Sequence, residues 1–408
     1  MTDSRYDIIV FGATSFVGQI VCRYLTKEYQ DPSLRWAAAG RSETRLRALQ
    51  QELGADDTSM PILLANADDP GSLQALCHQC DVIISTVGPY ALFGEPMVKA
   101  CVESGTDYCD LTGETPRIQQ MVARYQSLAE KTGARIVHCC GFDSIPSDLG
   151  VYFLQQQSKS RYGEYCSTVK MRVKAMRGGF SGGTAASLLN VVKEASKDPA
   201  LRKSLANPYS ICPPSFQPSV RQHNLKGAEF DSDLNSWIAP FVMSAINTRV
   251  VHRSNALAGA IYGEHFRYDE AVLTGAGLKG RLAALAMTAG LGGLMIGGAI
   301  APTRWLLERV VLPKPGEGPT PEEQLNGFYD LRFSGELGDG RKLRCKVTGD
   351  RDPGYGSTAK MLSQAALCLQ ATAKTTTAGG IWTPATAMGQ ALIERLEKHA
   401  GLSFEYRE

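Results

Sequence analysis

The 408-residue sequence predicts an α/β protein with an N-terminal doubly wound parallel sheet and a second, α+β domain. In the first 150 residues, short apolar runs alternate with amphipathic ones, which is typical of strands and helices around a parallel sheet. From about residue 168, strands follow one another without regular helices between them, which favours an α+β domain. We therefore predict a Rossmann-type domain over residues 1–150, an α+β substrate or dimerisation domain over 151–355, and closing helices over 356–408.

The apolar runs of the first domain predict six strands, at 8–11, 35–39, 61–65, 81–86, 107–111 and 135–139. Helices are predicted at 16–29, 43–53, 95–104 and 116–132, and another leads through residue 154. In the second domain, strands are predicted at 168–176, 265–273, 328–335 and 342–348, and the last two form a hairpin across Gly338-Asp-Gly340. A glycine-rich loop at 177–184 opens a helix, residues 207–223 are an irregular connection, and the closing helices lie at 357–373 and 386–400.

The first strand ends in a turn with the pattern Gly12-x2-Ser15-x2-Gly18. Backbone N–H groups at the start of the following helix are free donors at the positive end of the helix dipole, so this turn suits a pyrophosphate. Serine stands where the dinucleotide fingerprint normally has its middle glycine, and its Cβ lies where backbone should approach phosphate. The strand before and the helix after the turn support the dinucleotide interpretation.

The end of the second strand predicts which dinucleotide binds. An NAD site usually has an acid here that binds the ribose 2′-hydroxyl, whereas a nearby Arg accommodates a 2′-phosphate. This chain has Gly40, Arg41 and Ser42 at that place, and Arg45 one helical turn further on. The sequence therefore predicts an NADP(H) site.

Further loops meet the cofactor because the carboxyl ends of parallel strands share one edge of the sheet. Asn66 and Asp68 follow the third strand, where a polar side chain reaches the adenine edge; the alternatives are that they form a turn or cap the next helix. The residues that we predict to contact the cofactor are Gly12, Ala13, Thr14, Ser15, Phe16, Val17, Gly18, Gly40, Arg41, Ser42, Asp68, Val87, Gly88, Pro89, Tyr90, Gly141 and Phe142.

Tyr90 and Asp143 are the candidate catalytic residues, because they follow strands four and six, near the expected nicotinamide end. Tyr90 is a candidate acid or oxyanion donor, and the alternative is that its ring forms a wall against the cofactor. Asp143 is a candidate base, and the alternative is that it caps the helix that begins near Pro146. The helix opened by residues 354–361 either binds an anion such as a phosphate or is capped by Ser357 and Thr358.

The composition excludes several functional classes. A net charge of +2 predicts no strong electrostatic attraction to nucleic acid or to acidic membranes. The eleven cysteines are scattered and no secretory signal precedes the first strand, so we expect reduced thiols in a cytoplasmic protein. Cys77 and Cys80 have zinc-like spacing, but no second pair accompanies them and buried cysteines commonly fill cores. We predict no metal.

Residues 282–301 are twenty uncharged residues, long enough for a membrane span but rich in glycine and alanine. Small residues recur at spacing four, at Ala289, Gly293, Gly297 and Ala301, which allows close approach of another helix. Three placements remain open: a buried or dimer-interface helix, a segment that dips into a membrane surface, and a true span. A span would split the second domain.

Six segments together resemble the saccharopine dehydrogenase-like oxidoreductases, the family that includes bacterial trans-acting enoyl reductases of lipid biosynthesis. They are Phe11-Gly-Ala-Thr-Ser-Phe-Val-Gly18, Ala39-Gly-Arg-Ser42, Val87-Gly-Pro-Tyr90 with Gly94-Glu-Pro96, Tyr108-Cys-Asp-Leu-Thr-Gly-Glu114, the loop at 140–148 and the loop at 354–361. The resemblance implies an NADP-type Rossmann domain, a mixed α+β substrate domain, and an apolar stretch that associates with lipid surfaces in relatives.

We therefore expect an NADPH-dependent oxidoreductase that reduces a lipid or polyketide-type acyl substrate, as an enoyl reductase does. It would be peripheral on the cytoplasmic membrane through residues 282–301, or a homodimer. One alternative is a saccharopine-type imine-reducing amino-acid dehydrogenase. That enzyme would need basic groups that converge on carboxylates, and only Lys174 and Arg177 are candidates. The other alternative is an NADP-binding protein of lipid surfaces without turnover.

Overall fold

The structure is a computed structural model that describes residues 5–29, 34–178, 182–218, 220–306 and 318–407. The predicted glycine-rich loop at 177–184 lies partly outside these ranges. The described chain folds into two seven-stranded sheets with helices around them.

The first sheet is parallel throughout and has the strand order β13-β6-β5-β4-β1-β2-β3. Its strands are β1 (Tyr6–Phe11), β2 (Trp36–Gly40), β3 (Ile62–Leu64), β4 (Cys80–Ser85), β5 (Asp107–Asp110), β6 (Arg135–Val137) and β13 (Gly380–Trp382). The helices that follow its first six strands are α1 (Phe16–Glu28), α2 (Glu43–Glu52), α3 (Pro70–His78), α4 (Tyr90–Ser104), α5 (Thr115–Thr132) and α6 (Ile145–Tyr162).

Helices cover both faces of this sheet, as a doubly wound fold requires. Side chains alternate along a strand, so Ile8 and Val10 of β1 pack into one hydrophobic cluster and Ile9 and Phe11 into another. All four side chains are buried, which explains why the strand is a continuous apolar run in the sequence. The predicted doubly wound sheet is confirmed.

The second sheet is mixed and has the order β14-β12-β11-β7-β10-β9-β8, in which only the β7–β10 pair is parallel. Its strands are β7 (Thr168–Arg177), β8 (Glu229–Asp231), β9 (Ser236–Pro240), β10 (Arg267–Gly275), β11 (Phe328–Glu336), β12 (Lys342–Gly349) and β14 (Leu402–Arg407). The later helices are α7 (Gly182–Lys197), α8 (Pro199–Ala206), α9 (Ser244–Leu257), α10 (Gly277–Ala299), α11 (Ala301–Leu306), α12 (Pro321–Asn326), α13 (Thr358–Ala371) and α14 (Pro384–Arg395), with π-helical turns at Pro353–Ser357 and Leu396–Ala400.

The closing segment contains the two predicted helices, α13 and α14, and also one strand of each sheet. Strand β13 pairs with β6 of the first sheet, and β14 pairs with β12 of the second. Helix α6 leads from the first sheet to the second, where Gly150 leaves room for the Phe333 ring: a Cβ on Gly150 would lie 2.3 Å from it. The three-part division of the chain stays a prediction, and the structure adds that its last part joins both sheets.

Helix α10 is the least covered long helix in the described chain. Only Gly280, Ala284 and Gly298 are buried along it, and it is long and apolar enough to cross a membrane by length and composition. Burial within this chain is therefore the wrong placement for it. Strand β7 precedes α10 and β11 follows it, yet the two strands are paired, so a crossing would split the second sheet. Two of the predicted placements of α10 stay open: contact with a membrane surface and contact with another subunit.

Candidate functional site

A cleft of about 1150 Å³ lies at the carboxyl edge of the first sheet and extends to α7–α10. We call one part of the cleft the cofactor half; it is lined by residues 11–19, 40–45, 65–68 and 86–90. We call the other part the substrate half; it is lined by Asp143 and by α7–α10. The predicted cofactor residues that line the cleft are Gly12, Thr14, Ser15, Phe16, Val17, Gly40, Arg41, Asp68, Val87, Gly88, Pro89, Tyr90 and Gly141.

The remaining predicted cofactor residues support the cleft from behind. Ala13 is buried, and its N–H donates to the Ala39 carbonyl (3.1 Å). Gly18 lies against the turn, Ser42 is the N-cap of α2, and the Phe142 ring packs edge-on against Tyr329.

The glycine turn has room for no side chain at its two ends. Gly12 has φ +86°, and a Cβ there would lie 2.7 Å from Val87 Cγ2. A Cβ on Gly18 would lie 2.2 Å from the Gly12 carbonyl oxygen. Both glycines are therefore required by close packing, whatever binds in the cleft.

Ser15 fits the middle position of the turn because its backbone there is extended (φ −71°), a conformation that tolerates a Cβ. Its Oγ accepts from the Gly18 N–H and donates to Thr86 Oγ1, both at 2.9 Å, so the serine caps α1 and ties the turn to β4. Within the described chain the N–H groups of Phe16 and Val17 have no acceptor. The helix start therefore retains donors for a pyrophosphate.

Arg41 and Arg45 line the cleft beyond the end of β2, and both are exposed. Neither forms an ion pair with a described acid, so their charges are available to a ligand. Ser42 does not compete, because its Oγ accepts from the Arg45 N–H (3.4 Å) as the cap of α2. Two cations without an acid at this position fit a 2′-phosphate.

Asn66 and Asp68 also line the cleft. The next helix, α3, is capped by Asp69, whose Oδ1 accepts from the Gly71 N–H (3.0 Å). The capping alternative for Asn66 and Asp68 is therefore wrong, because the neighbouring aspartate is the cap. The turn alternative holds for Asn66, whose Oδ1 accepts from the Asp68 N–H (3.3 Å).

Tyr90 forms part of the cleft wall, and its hydroxyl is occupied by backbone. It donates to the Ser85 carbonyl (2.9 Å) and accepts from the Leu111 N–H (3.2 Å). Burial raises the pKa of Tyr90 well above its ordinary value. A proton donor must point its O–H at the substrate, so this geometry favours the wall over the acid.

Asp143 lines the cleft just after β6, next to Gly113, where an added Cβ would lie 3.3 Å from Asp143 Oδ2. It is not the cap of α6, so that alternative is wrong: the N-cap is Ser144, without a side-chain cap bond. The first turn needs no such cap, because the Ser144 and Ile145 N–H groups donate to the Gly141 carbonyl and Pro146 has no N–H.

The Asp143 carboxyl has no hydrogen-bond partner among the described residues. Burial raises its pKa to about 6. A carboxyl that lines a cleft and titrates close to neutral pH is suited to exchange a proton with a bound substrate.

The N–H groups at the start of the loop at 354–361 are not free for an anion. Asp352 accepts from the N–H groups of Gly354, Tyr355 and Gly356 at 3.1, 3.0 and 2.8 Å, so the donors at this helix start are already used. Thr358 Oγ1 accepts from the Phe142 N–H (2.9 Å), which fixes the loop that carries Asp143 onto α13. The capping alternative is also wrong, because Ser357 forms no side-chain cap bond at the start of α13 and Thr358 Oγ1 donates to the Pro353 carbonyl (2.8 Å).

Two further arginines line the cleft without any signal in the sequence. Arg202 of α8 and Arg249 of α9 line the substrate half, together with apolar residues such as Val192, Met243 and Met295. Lys174 and Arg177, the basic candidates from the sequence, are exposed on β7 and do not line the cleft. No local motif marks α8 or α9, so only the fold brings these arginines to the site.

Cys77 and Cys80 are buried, and Cys77 Sγ lies 3.7 Å from Cys101 Sγ. In the part of the chain that the structure describes, no group of three His, Cys, Asp or Glu residues could hold a metal ion.

Comparisons with known proteins agree with this geometry. The model of the saccharopine dehydrogenase NADP binding domain matches residues 8–137. A provisionally named trans-acting enoyl reductase of Mycobacterium tuberculosis is 39% identical, over 99% of this chain and 98% of that protein. The trans-acting enoyl reductase of Mycobacterium bovis is 36% identical, over 97% of this chain and 96% of its own.

Among solved structures, the apo saccharopine dehydrogenase (L-Glu forming) of Saccharomyces cerevisiae superimposes with a TM-score of 0.55 at 13% identity. The match covers 99% of this chain and 100% of the yeast chain, and it supports the fold alone. The predicted family, fold and cofactor are confirmed. The chain is an NADP-dependent oxidoreductase and belongs to the trans-acting enoyl reductase group of the saccharopine dehydrogenase-like family.

Proposed function

We propose that the protein reduces the carbon–carbon double bond of an α,β-unsaturated acyl substrate with NADPH, and that Asp143 supplies the proton. The observation that carries this proposal is the Asp143 carboxyl, which lines the cleft without a partner in the described chain and has its pKa raised to about 6. The names of the relatives at 36% and 39% identity support the same reaction.

The cofactor, when bound, supplies a hydride to the β-carbon of the substrate. Negative charge then develops on the acyl oxygen, and the α-carbon requires a proton to complete the saturated product. Asp143 holds that proton at its carboxyl oxygen when protonated and accepts one from solvent after transfer. The Ser85 and Leu111 backbone groups hold the Tyr90 ring in place as the wall beside it.

The substrate half suits an apolar acyl chain. Val192, Met243, Ile246 and Met295 line it from three different helices. A cleft of about 1150 Å³ exceeds the roughly 300–1,000 Å³ of ordinary ligand pockets. The cleft is therefore large enough to hold a substrate beside a dinucleotide, and the apolar walls suit an acyl chain.

We also propose that α10 rests on a membrane surface, which makes the substrate lipid-like and the protein peripheral on the cytoplasmic face. Leu282, Leu285 and Ile296 are 57%, 47% and 66% exposed. Met295 and Ala299 of the same helix line the substrate half, so the exposed apolar surface is continuous with the cleft. Lys279, Arg281 and Arg304 flank it with positive charge, which suits anionic headgroups.

The reaction is tested by NADPH oxidation at 340 nm with a 2-enoyl thioester, with mass spectrometry of the product. We expect turnover to the saturated thioester. Glutamate with an aldehyde is the parallel assay for the amino-acid dehydrogenase alternative, and turnover only there would contradict the proposal. NADPH binding without turnover in either assay would favour the non-catalytic alternative.

The membrane proposal is tested by flotation with anionic vesicles. We expect the wild type and Leu325→Glu, a control at a 58% exposed leucine on α12, to float, and Leu285→Glu with Ile296→Glu to stay in solution. Equal flotation of all three would contradict the proposal. A dimer that becomes monomeric in the double variant, with no flotation by any form, would assign α10 to a homodimer interface.

A further inference from the structure

Arg249 is a buried guanidinium that lines the substrate half of the cleft. Its side chain is only 8% exposed. One Nη donates to the Ala245 carbonyl (2.5 Å) and the other to the Leu205 carbonyl. The Nε–H is buried and has no acceptor in the described part of the chain. Backbone carbonyls satisfy some of its donors, but they do not neutralise its charge.

Three other buried arginines, Arg117, Arg135 and Arg172, are paired with acids. Arg135 has Asp107 at 2.5 Å, and Arg172 has Asp231 at 2.8 Å. Arg249 has no carboxylate within ion-pair distance among the described residues, and burial lowers its pKa to about 10. An unpaired buried charge destabilises the free protein, so a ligand that neutralises it is favoured.

Arg253, one helical turn along α9, shows what distinguishes Arg249. It is 2% exposed and donates to the carbonyls of Ile211 and Ile381, and its Nε also has no acceptor in the described chain. It joins the irregular 207–223 connection to β13 and does not line the cleft. Both arginines lie on α9, are buried and donate to backbone carbonyls, but only Arg249 lines the cleft and is accessible to a ligand.

Arg202 adds a second cation to the same part of the cleft. It is exposed on α8, the helix whose Leu205 carbonyl accepts from Arg249. Its Nη1 donates to the carbonyls of Ala195 (2.8 Å) and Ser196 (3.2 Å), and no described acid pairs with it. One buried and one exposed guanidinium can therefore approach one ligand group.

The ligand group that Arg249 and Arg202 can approach is part of the substrate and not of the cofactor. The donors that suit the cofactor phosphates lie elsewhere: at the start of α1, after β1, and at Arg41 and Arg45, after β2. Helix α9 is instead joined to the loop of Asp143, because Ser144 Oγ donates to Asn247 Oδ1 (3.1 Å). Arg249 therefore lies on the element that forms the substrate wall next to the proposed proton donor.

We propose that Arg249, assisted by Arg202, binds an oxyanion of the substrate, a phosphate or a carboxylate remote from the reacting double bond. The acyl part of that substrate rests on the proposed function, whereas the anion site is a binding property that needs no turnover. Arg249 is then a specificity-determining residue that selects charged acyl compounds over neutral ones of the same chain length.

The test is calorimetric binding to the full chain saturated with NADP⁺, so that the cofactor half is filled. One pair of probes is 4′-phosphopantetheine and pantetheine, which differ by a phosphate. The other pair is octanoate and octanamide, which differ by a carboxylate charge. We expect the anionic member of one pair to bind about tenfold to a hundredfold more tightly than the neutral member, the range of charge-assisted hydrogen bonds. The pair that shows this ratio identifies the oxyanion.

Arg249→Met should reduce the ratio to near one, and Arg253→Met, the matched control, should leave it unchanged. Equal binding within both pairs, or a ratio that survives in Arg249→Met, would overturn the proposal. Should Arg249→Met not fold, Arg202→Met decides, since its site is exposed: we expect a severalfold smaller ratio, and an unchanged one would overturn the proposal. An intact ratio without NADPH oxidation would refute the proposed reaction and leave the anion site standing.

Discussion

The two halves of the cleft are built in different ways. The cofactor half comes from four strand ends within residues 11–90, and its charged groups, Arg41 and Arg45, are exposed. The substrate half comes from residues 143–299, and its ionisable groups, Asp143 and Arg249, have lost most of their solvent. The cofactor half is thus built by a local stretch of the chain, whereas the substrate half depends on long-range packing.

The two halves also differ in how much their ionisable groups cost the folded state. An exposed arginine keeps its hydration until a phosphate arrives, so the cofactor half costs the fold little. A carboxyl or a guanidinium without a counter-ion in a desolvated cleft destabilises its charged form in the free protein. We therefore expect changes in the substrate half to alter chemistry and pH dependence, and changes in the cofactor half to alter affinity.

Replacement of the proposed proton donor should give the largest effect. Asp143→Asn keeps the shape but cannot deliver a proton, so we expect kcat for enoyl thioester reduction to fall about 10²- to 10⁴-fold. The NADPH dissociation constant should stay within about twofold, because Asp143 is outside the cofactor half. Stopped-flow NADPH oxidation and fluorescence titration measure the two quantities, and a wild-type kcat in the variant would remove Asp143 from the mechanism.

Gly18→Ala should be the most damaging change in the cofactor half. The new Cβ would lie 2.2 Å from the Gly12 carbonyl oxygen and 2.9 Å from Ala13 Cα, both backbone atoms that cannot move aside. We expect the free energy of unfolding to fall by about 3 kcal/mol, with loss of NADPH binding. Gly71→Ala is the control, since its nearest contact is an ordinary 3.4 Å to Asp69 Oδ1. Equal urea midpoints for the two variants would contradict the packing argument.

Arg41→Ala should weaken NADPH binding by about tenfold to a hundredfold, the loss of a charge-assisted hydrogen bond, and leave NADH binding unchanged. Arg47→Ala, on the helix α2 that follows Arg41, is the control, because Arg47 pairs with Glu43 (3.6 Å) and does not line the cleft. Calorimetry with both cofactors measures the ratio. If Arg41→Ala weakens NADPH and NADH alike, the 2′-phosphate lies elsewhere.

The smallest expected effect is a fall in the free energy of unfolding as pH rises. Burial raises the pKa of Glu270 and of Asp148, behind the substrate half, to about 7. The folded state therefore holds protons that the unfolded state loses near pH 4, so this stabilisation is complete below pH 4 and lost as pH rises through 7. Between pH 6 and 8 we expect a loss of about 1 kcal/mol for each carboxyl. Urea unfolding of wild type and Glu270→Gln checks this, and identical slopes against pH would contradict it.

The sequence predicted the cofactor half because each of its parts lies within one strand–turn–helix unit. Gly12, Gly18 and Arg41 have positions that a local pattern reveals. Asn66 and Asp68 could not be distinguished as caps or contacts, because Asp69 beside them is an equally good cap and only the structure shows which one bonds Gly71.

The substrate half could not be predicted in the same way. Arg249 resembles any other helical arginine in the sequence, and its lack of a counter-ion depends on what α8 and α9 bring around it. Four strands were missed. Strands β13 and β14 pair with β6 and β12, which lie far earlier in the chain, and β8 and β9 are only three and five residues long. The exposure of α10 also depends on the fold, since an apolar run is compatible with burial, contact or crossing.

The pH dependence of kcat tests the central claim, that a desolvated Asp143 donates the proton to the reduced acyl substrate. The measurement is NADPH oxidation with a saturating enoyl thioester from pH 4.5 to 9, for wild type and Asp143→Asn. Since the acid works in its protonated form, we predict that wild-type kcat falls as pH rises through an apparent pKa near 6, and that the residual rate of the variant lacks this limb. The same falling limb in both proteins would contradict the claim.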